Sequence, residues 1–580
     1  MSRTKPAKEK HWHVIRRNCQ AEQRILPEID LHKVALALLC QREKSTPEEI
    51  NRFIRPDIRD LADPFLMEDM SKAVDRIRKA VFDQERILIY GDYDVDGITG
   101  TSLLKQFFQM VHADITAFIP HRIDDGYSLQ KHNIDRFAAE GIKLIITVDC
   151  GSTNVEEIDY ANKLGLDVIL TDHHEFKSQV PNAYAILSPI FPGTTYPFGR
   201  LCGCGVAFKL AWAIGESFSP EKKMSPEIRE FLRTALSLVA VGTIADVVPL
   251  LSENRILVRH GLESLRRTTN PGLRALLQGA DLGKAENLVP SDIAFRIAPK
   301  INAAGRIGSP MTAMDLLTTT DTVESLHLEE RLTAYNNERK DIERAILEDA
   351  LDKISNLDME ENPVIVLDDE KWHPGVIGIV ASRLSEEYSR PAVLIAMGED
   401  KGRGSGRSIS TFNLYDAVSA GSEHLLGFGG HSHAAGLEIA KGKVSAFRRA
   451  ITEFSIDKIS AAEMIPKLDI DLEIELSDIS YKLMRDLDML QPFGEGNPAP
   501  LFVTRGVKAV GNPRLVGVNN NHLIFYAAKN GSSFKCVAFN RGDAHDWIQQ
   551  APLDIVYEPK LNTWQGETNI ELMIRDFSSP

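Results

Sequence analysis

The sequence predicts an α/β protein in three parts: a parallel-sheet domain, a long helix joining it to a smaller α/β domain, and a C-terminal OB-like β-barrel. Three observations predict this. Between Arg86 and Asp172 the short apolar runs RILIY, DITAFIP, IKLIITVD and LDVILTD alternate with longer helical patterns, as in a buried parallel sheet with crossover helices. From Thr322 to Leu357 there is no Gly or Pro, and Leu328, Leu332, Tyr335, Ile342 and Ile346 recur at helical spacing. From Lys467 the text becomes KLDIDLEIEL, whose strict alternation is that of a half-buried strand, and five more strand-like runs follow.

Taken in order, residues 1–60 form an N-terminal accessory segment with mixed helical signals. Residues 61–320 form the first α/β domain, in which ALSLVAVGTIADVVPL is too long an apolar run for a strand and reads as a buried helix ending near Asp246. Residues 321–358 are the connecting helix. In 359–462, NPVIVLDD and RPAVLIAM flank the helical GVIGIVASRLSEEY, giving a second, smaller α/β domain. Residues 463–580 are the barrel.

A chain of 580 residues exceeds one ordinary core, so several domains are expected. With 43% hydrophobic and 26% charged residues and no apolar run long enough for a bilayer, neither a membrane protein nor a membrane partner is expected. The basic start MSRTKPAKEKHWH leads into no apolar segment, which points to a cytoplasmic location. Six scattered cysteines fit a reducing compartment, and Cys202 and Cys204, lacking a second Cys/His pair nearby, read as packing residues. A net charge of −15 argues against nonspecific duplex binding over the whole surface but leaves room for a local basic groove.

The chemistry gathers at the ends of apolar runs. ILIYGDYDVDG carries Asp92, Asp94 and Asp96 at alternate positions, and in an extended run Asp94 and Asp96 would share a face as co-ligands. Asp149 ends IITVDCGS, Asp172, His173 and His174 end ILTDHHE, and Asp246 lies in GTIADVVPL. The C-terminal ends of parallel strands line one edge of a sheet, so these residues are expected to meet. Several carboxylates with one or two imidazoles suit Mn²⁺ or Mg²⁺, and a pair of such ions makes phosphoester hydrolysis the natural reaction.

DYDVDG, VDCGS, TDHHE and ADVVPL resemble the successive motifs of the DHH phosphoesterase superfamily. RIAPKINAAGRIG, WHPGVIGIVASRL, GSGRS, GFGGHSHAAG and QPFGEGNPAP are similar to its branch of bacterial single-stranded-DNA exonucleases. The resemblance implies a DHH catalytic domain, a DHHA1 substrate-binding domain and an OB-fold nucleic-acid-binding domain. It implies two-metal hydrolysis of single-stranded DNA from 5′ to 3′, releasing 5′-mononucleotides in DNA repair and recombination, by a monomer with helicase and single-strand-binding-protein partners. Asp94 and Asp149 would hold one metal, Asp96, Asp149, His173 and Asp246 the other, with Asp92 adjacent and His174 on the phosphate or water. Asn302, Arg306, Arg383, Ser405, Arg407 and His431 would bind substrate. Related pyrophosphatases place a histidine four residues before the first ligand aspartate, where this chain has Tyr90, so one metal would be held less tightly. In the barrel, Phe493, Phe525, Tyr526 and Trp564 are candidates for base stacking, and Lys535, Arg541 and Lys560 for phosphate contacts. A DHH-type hydrolase of short oligonucleotides or cyclic dinucleotides is the alternative, and a noncatalytic scaffold is disfavoured because every expected acidic position is filled.

Overall fold

The computed structural model describes residues 10–578 except 18–21, 23, 26, 123, 124, 127, 178, 219–223, 457 and 460–463. Its contacts form two units, one spanning Asp57–Ser460 with Gly494–Asn497, the other Met1–Pro56 with Ala461–Phe493 and Pro498–Pro580. The first described strand, β1 (His11–Val14), pairs in parallel with β12 (Lys467–Ile470), so the N-terminal segment shares a sheet with the start of the barrel segment.

In the larger unit, β2 (Arg86–Gly91), β3 (Ile115–Phe118), β4 (Ile142–Val148), β5 (Asp167–Thr171) and β6 (Ala185–Leu187) form an all-parallel sheet in the order β3-β2-β4-β5-β6. The strands are aliphatic on both faces because both are covered. Ile87 and Ile89 enter one core with the helices, while Leu88 and Tyr90 enter a second core on the other face. The predicted buried helix is α3 (Pro226–Ala245), with Asp246 at its C-cap. It packs, together with α2 (Gly203–Ser217), against α1 (Val95–Met110).

RIAPKINAAGRIG, expected to present Asn302 and Arg306 on a loop, is instead a single π-turn, Ile293–Ile297, running into α4 (Ala298–Ile307). Gly305 lets this helix approach the Asp92–Asp96 turn, since a Cβ there would lie 2.5 Å from the Tyr93 carbonyl oxygen. The connecting helix is α5 (Thr322–Ser355). Beyond it lie β7 (Ile365–Asp369), α6 (Ile377–Tyr388), β8 (Ala392–Met397), β9 (Lys401–Arg407), β10 (Leu425–His431) and β11 (Ala434–Ala440), whose strands form a mixed sheet in the order β10-β11-β9-β8-β7.

KLDIDLEIEL is not one strand. It breaks at Asp471 into β12 and β13 (Leu472–Glu473), which belong to different sheets. The Asp471 carboxylate accepts the Leu501 amide at 2.9 Å and lies 3.6 Å from Arg42, so the crossing point is pinned by polar partners. The barrel itself is β14 (Phe502–Val516), β15 (His522–Lys529), β16 (Ser532–Ala538), β17 (Leu553–Trp564) and β18 (Glu567–Ser578), closed because β14 pairs with both β15 and β17. Phe502, Phe525 and Tyr557 fill its interior.

Candidate metal centre

Asp92, Asp94 and Asp96 do not lie along an extended strand. β2 ends at Gly91, and Asp94 is already the N-cap of α1, accepting the amides of Asp96 at 2.9 Å and Gly97 at 3.1 Å. Glycine is needed at 97 because a Cβ would meet the Asp92 carbonyl oxygen at 2.4 Å. The turn therefore separates Asp94 from Asp96 and sends them to different ligand groups. Asp96 is held by the start of α2: its two oxygens accept the amides of Gly203, at 2.5 Å, and Cys204, at 2.9 Å. An aligned helix N-terminus compensates the buried charge. Cys202 and Cys204 are fully buried packing thiols, and their CGCG run supplies those amides.

Asp149 follows β4 with φ +62°, and Asp172, His173 and His174 follow β5. Asp172 accepts the amides of Ser152, His173 and His174 and the Nδ1 of His174 at 2.8 Å, so it shapes the loop and orients that imidazole. His173 Nε2 lies 3.0 Å from Asp149, 3.6 Å from Asp246 and 3.8 Å from Asp96. Ligand atoms converge within 4.8 Å of one another in three groups: Asp92 with Asp94 and Asp149, Asp96 with His173 and Asp246, and Asp149 with His173 and His174. Asp149 links the first group to the histidines. Tyr90 stands apart, its ring in the core on the other face and its hydroxyl donating to the Ser128 carbonyl.

Asp92 Oδ1, Asp149 Oδ1, His173 Nε2 and Asp246 Oδ2 are buried, and although His173 Nε2 faces Asp149 and Asp246, none of the four makes a hydrogen bond of good geometry among the described residues. Buried polar atoms are rarely left so. Burial, then repulsion from Asp96 and Asp94, raises Asp246 to about 9, and burial with Asp94 raises Asp96 to about 6. Asp92 and Asp149 are pushed up for the same reasons. Burial, with the neighbouring His174, lowers His173 to about 4 and favours the neutral imidazole a metal requires. Against its own burial, His174 is lifted to about 9 by the Asp172 hydrogen bond, and Asp172, likewise against its burial, is held below the usual carboxylate range by the same pair. The donor set of hard oxygens and one neutral nitrogen fits two divalent cations of the Mn²⁺ or Mg²⁺ type.

Next to this centre three guanidinium groups lie close enough to feel one another's charge. Arg306 is lowered to about 10 by burial and then by Arg122 and Arg407, and Arg407 is lowered by burial and Arg122. None of the three has a carboxylate partner within salt-bridge distance among the described residues. Arg306 donates to the Gly375 carbonyl at 2.9 Å, Arg407 to the Gly406 carbonyl at 2.8 Å, and Arg122 sits 5.0 Å from the Tyr93 ring centroid. A cavity of about 550 Å³ opens beside them, lined by Arg122, Gly375, Ser405 and Gly429 among others. His431 is near enough to His174 and Glu175 to respond to both. Asn302 is half-buried on α4. Arg383 instead donates to Glu343 of α5 at 2.7 Å. No motif marks Arg122; its one signal is a lone arginine just beyond β3, at the same sheet edge as the acidic groups.

In the other unit, Tyr481, Tyr526, Lys535 and Trp564 line a groove of about 680 Å³ on the barrel, with Trp564 72% and Tyr481 58% exposed. Phe525 is core, and Arg541 is paired with Asp576 at 2.9 Å.

The DHH family N-terminal domain matches residues 86–243, the DHHA1 domain residues 361–456 and the RecJ OB domain residues 470–576. A parallel sheet edged by these carboxylates and histidines, followed by DHHA1, defines a metal-dependent DHH phosphoesterase. The chain is 35% identical to the single-stranded-DNA-specific exonuclease RecJ of Bacillus subtilis (strain 168), over 98% of this chain and 71% of that protein. It is 33% identical to the protein of the same name from Thermus thermophilus, over 89% and 72%. The crystal structure of RecJ in complex with Mn²⁺ from Thermus thermophilus matches with a TM-score of 0.83 at 29% identity, covering 98% of this chain and 80% of that one, and a Mg²⁺ complex of RecJ from the same organism matches at 0.77. The chain belongs to the RecJ family of single-stranded-DNA-specific exonucleases.

Proposed function

We propose that this protein hydrolyses single-stranded DNA from its 5′ end, releasing 5′-mononucleotides with the aid of two divalent cations, Mn²⁺ or Mg²⁺. The four buried atoms of Asp92, Asp149, His173 and Asp246 that lack a hydrogen bond of good geometry carry this reading. Asp94 and Asp149 would hold one cation with Asp92 beside them, and Asp96, Asp149, His173 and Asp246 the other, Asp149 serving both. When bound, the pair supplies Lewis acidity and neutralises charge at the scissile phosphoryl group.

The chain's own groups do the rest. The Gly203 and Cys204 amides keep the Asp96 carboxylate aimed at the centre. His174, fixed through Nδ1 by Asp172, whose carboxylate favours the charged imidazole against its burial, has Nε2 left to donate to a phosphate oxygen. Arg122, Arg306, Arg407 and Ser405 form an anion site for the terminal 5′-phosphate, with His431 and Asn302 flanking the strand. The cavity of about 550 Å³ lined by Arg122 and Ser405 is large enough for one nucleotide. Attack by water forms a new P–O bond and breaks the P–O3′ bond, the 3′ oxygen taking a proton. The strand left behind again carries a 5′-phosphate, so each turnover regenerates the group the arginines hold. Arg383 would act indirectly, by tying α6 to α5 through Glu343.

We assign residues 61–320 to the catalytic domain, 321–358 to the connecting helix, 359–462 to substrate binding and 463–580 to strand capture, with Tyr481, Tyr526 and Trp564 as stacking groups and Lys535 beside them. Helicase and single-strand-binding-protein partners fit a nuclease of this kind in repair, working in the cytoplasm. The test is product analysis on 5′- and 3′-labelled single and double strands with Mn²⁺, Mg²⁺ and chelator. Mononucleotides from the 5′ label on single strands only, abolished by chelator and by Asp149→Ala, support the reading; release from the 3′ end, or cleavage confined to dinucleotides, overturns it.

A further inference from the structure

We propose that Phe295 stacks on a base of the incoming single strand, and that Phe295, Pro299, Asn302 and Arg306 mark the track the strand follows to the metal centre; this rests on the nuclease reading above. Between Ile297 and Gly305 only Pro299 and Asn302 reach solvent, while every neighbour on either side is buried. With Arg306 they recur at three- and four-residue spacing, one stripe along α4, and Phe295 stands four residues before Pro299 in the π-turn that leads into that helix. One end of the stripe is Arg306, beside Arg122 and Arg407. The other is Phe295, 79% exposed.

The π-turn Ile293–Ile297 is what places this ring outside. It inserts one residue ahead of α4, and such turns are frequent at functional sites. Its neighbours are firmly anchored. Ile293 and Ile297 lie in the core, and Arg296 donates to the Ala280 carbonyl and pairs with Asp292 at 3.7 Å. The turn also packs against α3, the helix that ends at Asp246. Phe295 is thus a large apolar ring, held out on a rigid turn, in line with groups that contact phosphate. The occupant that suits it is the same polymer: a nucleobase offers a flat apolar face, and aromatic stacking tolerates every base, as a sequence-independent nuclease requires. At helical rise, the stretch from Phe295 to Arg306 spans about 16 Å. At about 3.4 Å per stacked nucleotide, the ring meets a base roughly five nucleotides from Arg306 on a stacked strand, beyond the reach of a trinucleotide.

The experiment uses the full chain with Mn²⁺ and 5′-phosphorylated strands. Phe295→Ala is expected to raise KM for a strand of about twenty nucleotides roughly tenfold with little change in kcat, to leave a trinucleotide unaffected, and to be rescued by Phe295→Trp. In wild type, an abasic nucleotide scanned along the strand should weaken binding at one or two adjacent positions only, and Phe295→Ala should erase that dependence. Equal loss on the trinucleotide and the long strand, no change on the long strand, or an abasic profile identical in both proteins would overturn the proposal. Failure of wild type to cut any 5′-phosphorylated strand would instead overturn the nuclease reading itself.

Discussion

The Gly203 amide donates to Asp96 at 2.5 Å, and a Cβ on the same residue would lie 2.7 Å from Asp149 Oδ1. One glycine therefore packs between two carboxylates of the candidate metal centre. Gly203→Ala should displace α2 or Asp149, costing about 1–3 kcal/mol of stability. The loss of Mn²⁺ affinity should exceed what that destabilisation alone gives. Calorimetric titration beside a melting curve checks this, and unchanged Mn²⁺ affinity would separate Gly203 from the centre.

Metal dependence and pH dependence are linked at Asp96 and Asp246. Burial and repulsion, from Asp94 on Asp96 and from Asp96 and Asp94 on Asp246, raise these carboxylates to about 6 and about 9, against about 4 in an unfolded chain. Without metal, the folded state binds more protons than the unfolded state across that range. The stability these groups contribute is full below about pH 4 and is lost as pH rises through about 6 toward about 9. A divalent cation takes the place of those protons. The rise in Tm on adding Mn²⁺ should thus be small near pH 5 and grow toward pH 8, and chelator should reverse it. A Tm rise that shrinks toward alkaline pH would contradict the assignment.

Most of this centre was legible in the sequence because parallel strands bring their C-terminal ends to one edge, so Asp149, His173 and Asp92 had to meet. The route of Asp94 and Asp96 was not legible. Alternating carboxylates read as strand, yet the Asp94 side chain finds two free amides at the start of α1 and makes that residue a helix cap. The proposed anion site was half legible: in GSGRS, Ser405 and Arg407 share one half-buried face of β9 while the glycines pack on the other, whereas Arg122 lies in no motif and is brought in by the fold. KINAAGRIG misled as a loop because Gly305 serves a close helix contact at Tyr93 and not a turn. The break in KLDIDLEIEL was hidden because Asp471 fits the alternating pattern, while the partners that pin it, Leu501 and Arg42, are distant in the chain.

Arg407 supplies charge to the proposed terminal-phosphate site, and among the described residues it is held by the Gly406 carbonyl and the Ser405 hydroxyl with no carboxylate partner. Arg407→Ala should raise KM for 5′-phosphorylated strands by about tenfold or more, with a much smaller effect on strands ending in a 5′-hydroxyl. The dependence of log affinity on log salt should flatten by about one phosphate contact. Filter binding at several salt concentrations reads both, and equal effects on phosphorylated and hydroxyl ends would move Arg407 away from the terminal phosphate.

On the barrel, Tyr526 and Trp564 expose aromatic surface on one groove, whereas Phe525 is turned into the core. Each stacked base contributes about 1–3 kcal/mol. The double substitution Tyr526→Ala with Trp564→Ala should therefore lower affinity for long single strands by at least about tenfold, while kcat on a saturating short strand stays within about twofold, since neither residue belongs to the unit that carries the metal ligands. Fluorescence anisotropy on strands of increasing length checks this. A penalty already complete on the shortest strands would place those aromatics outside the path of the DNA.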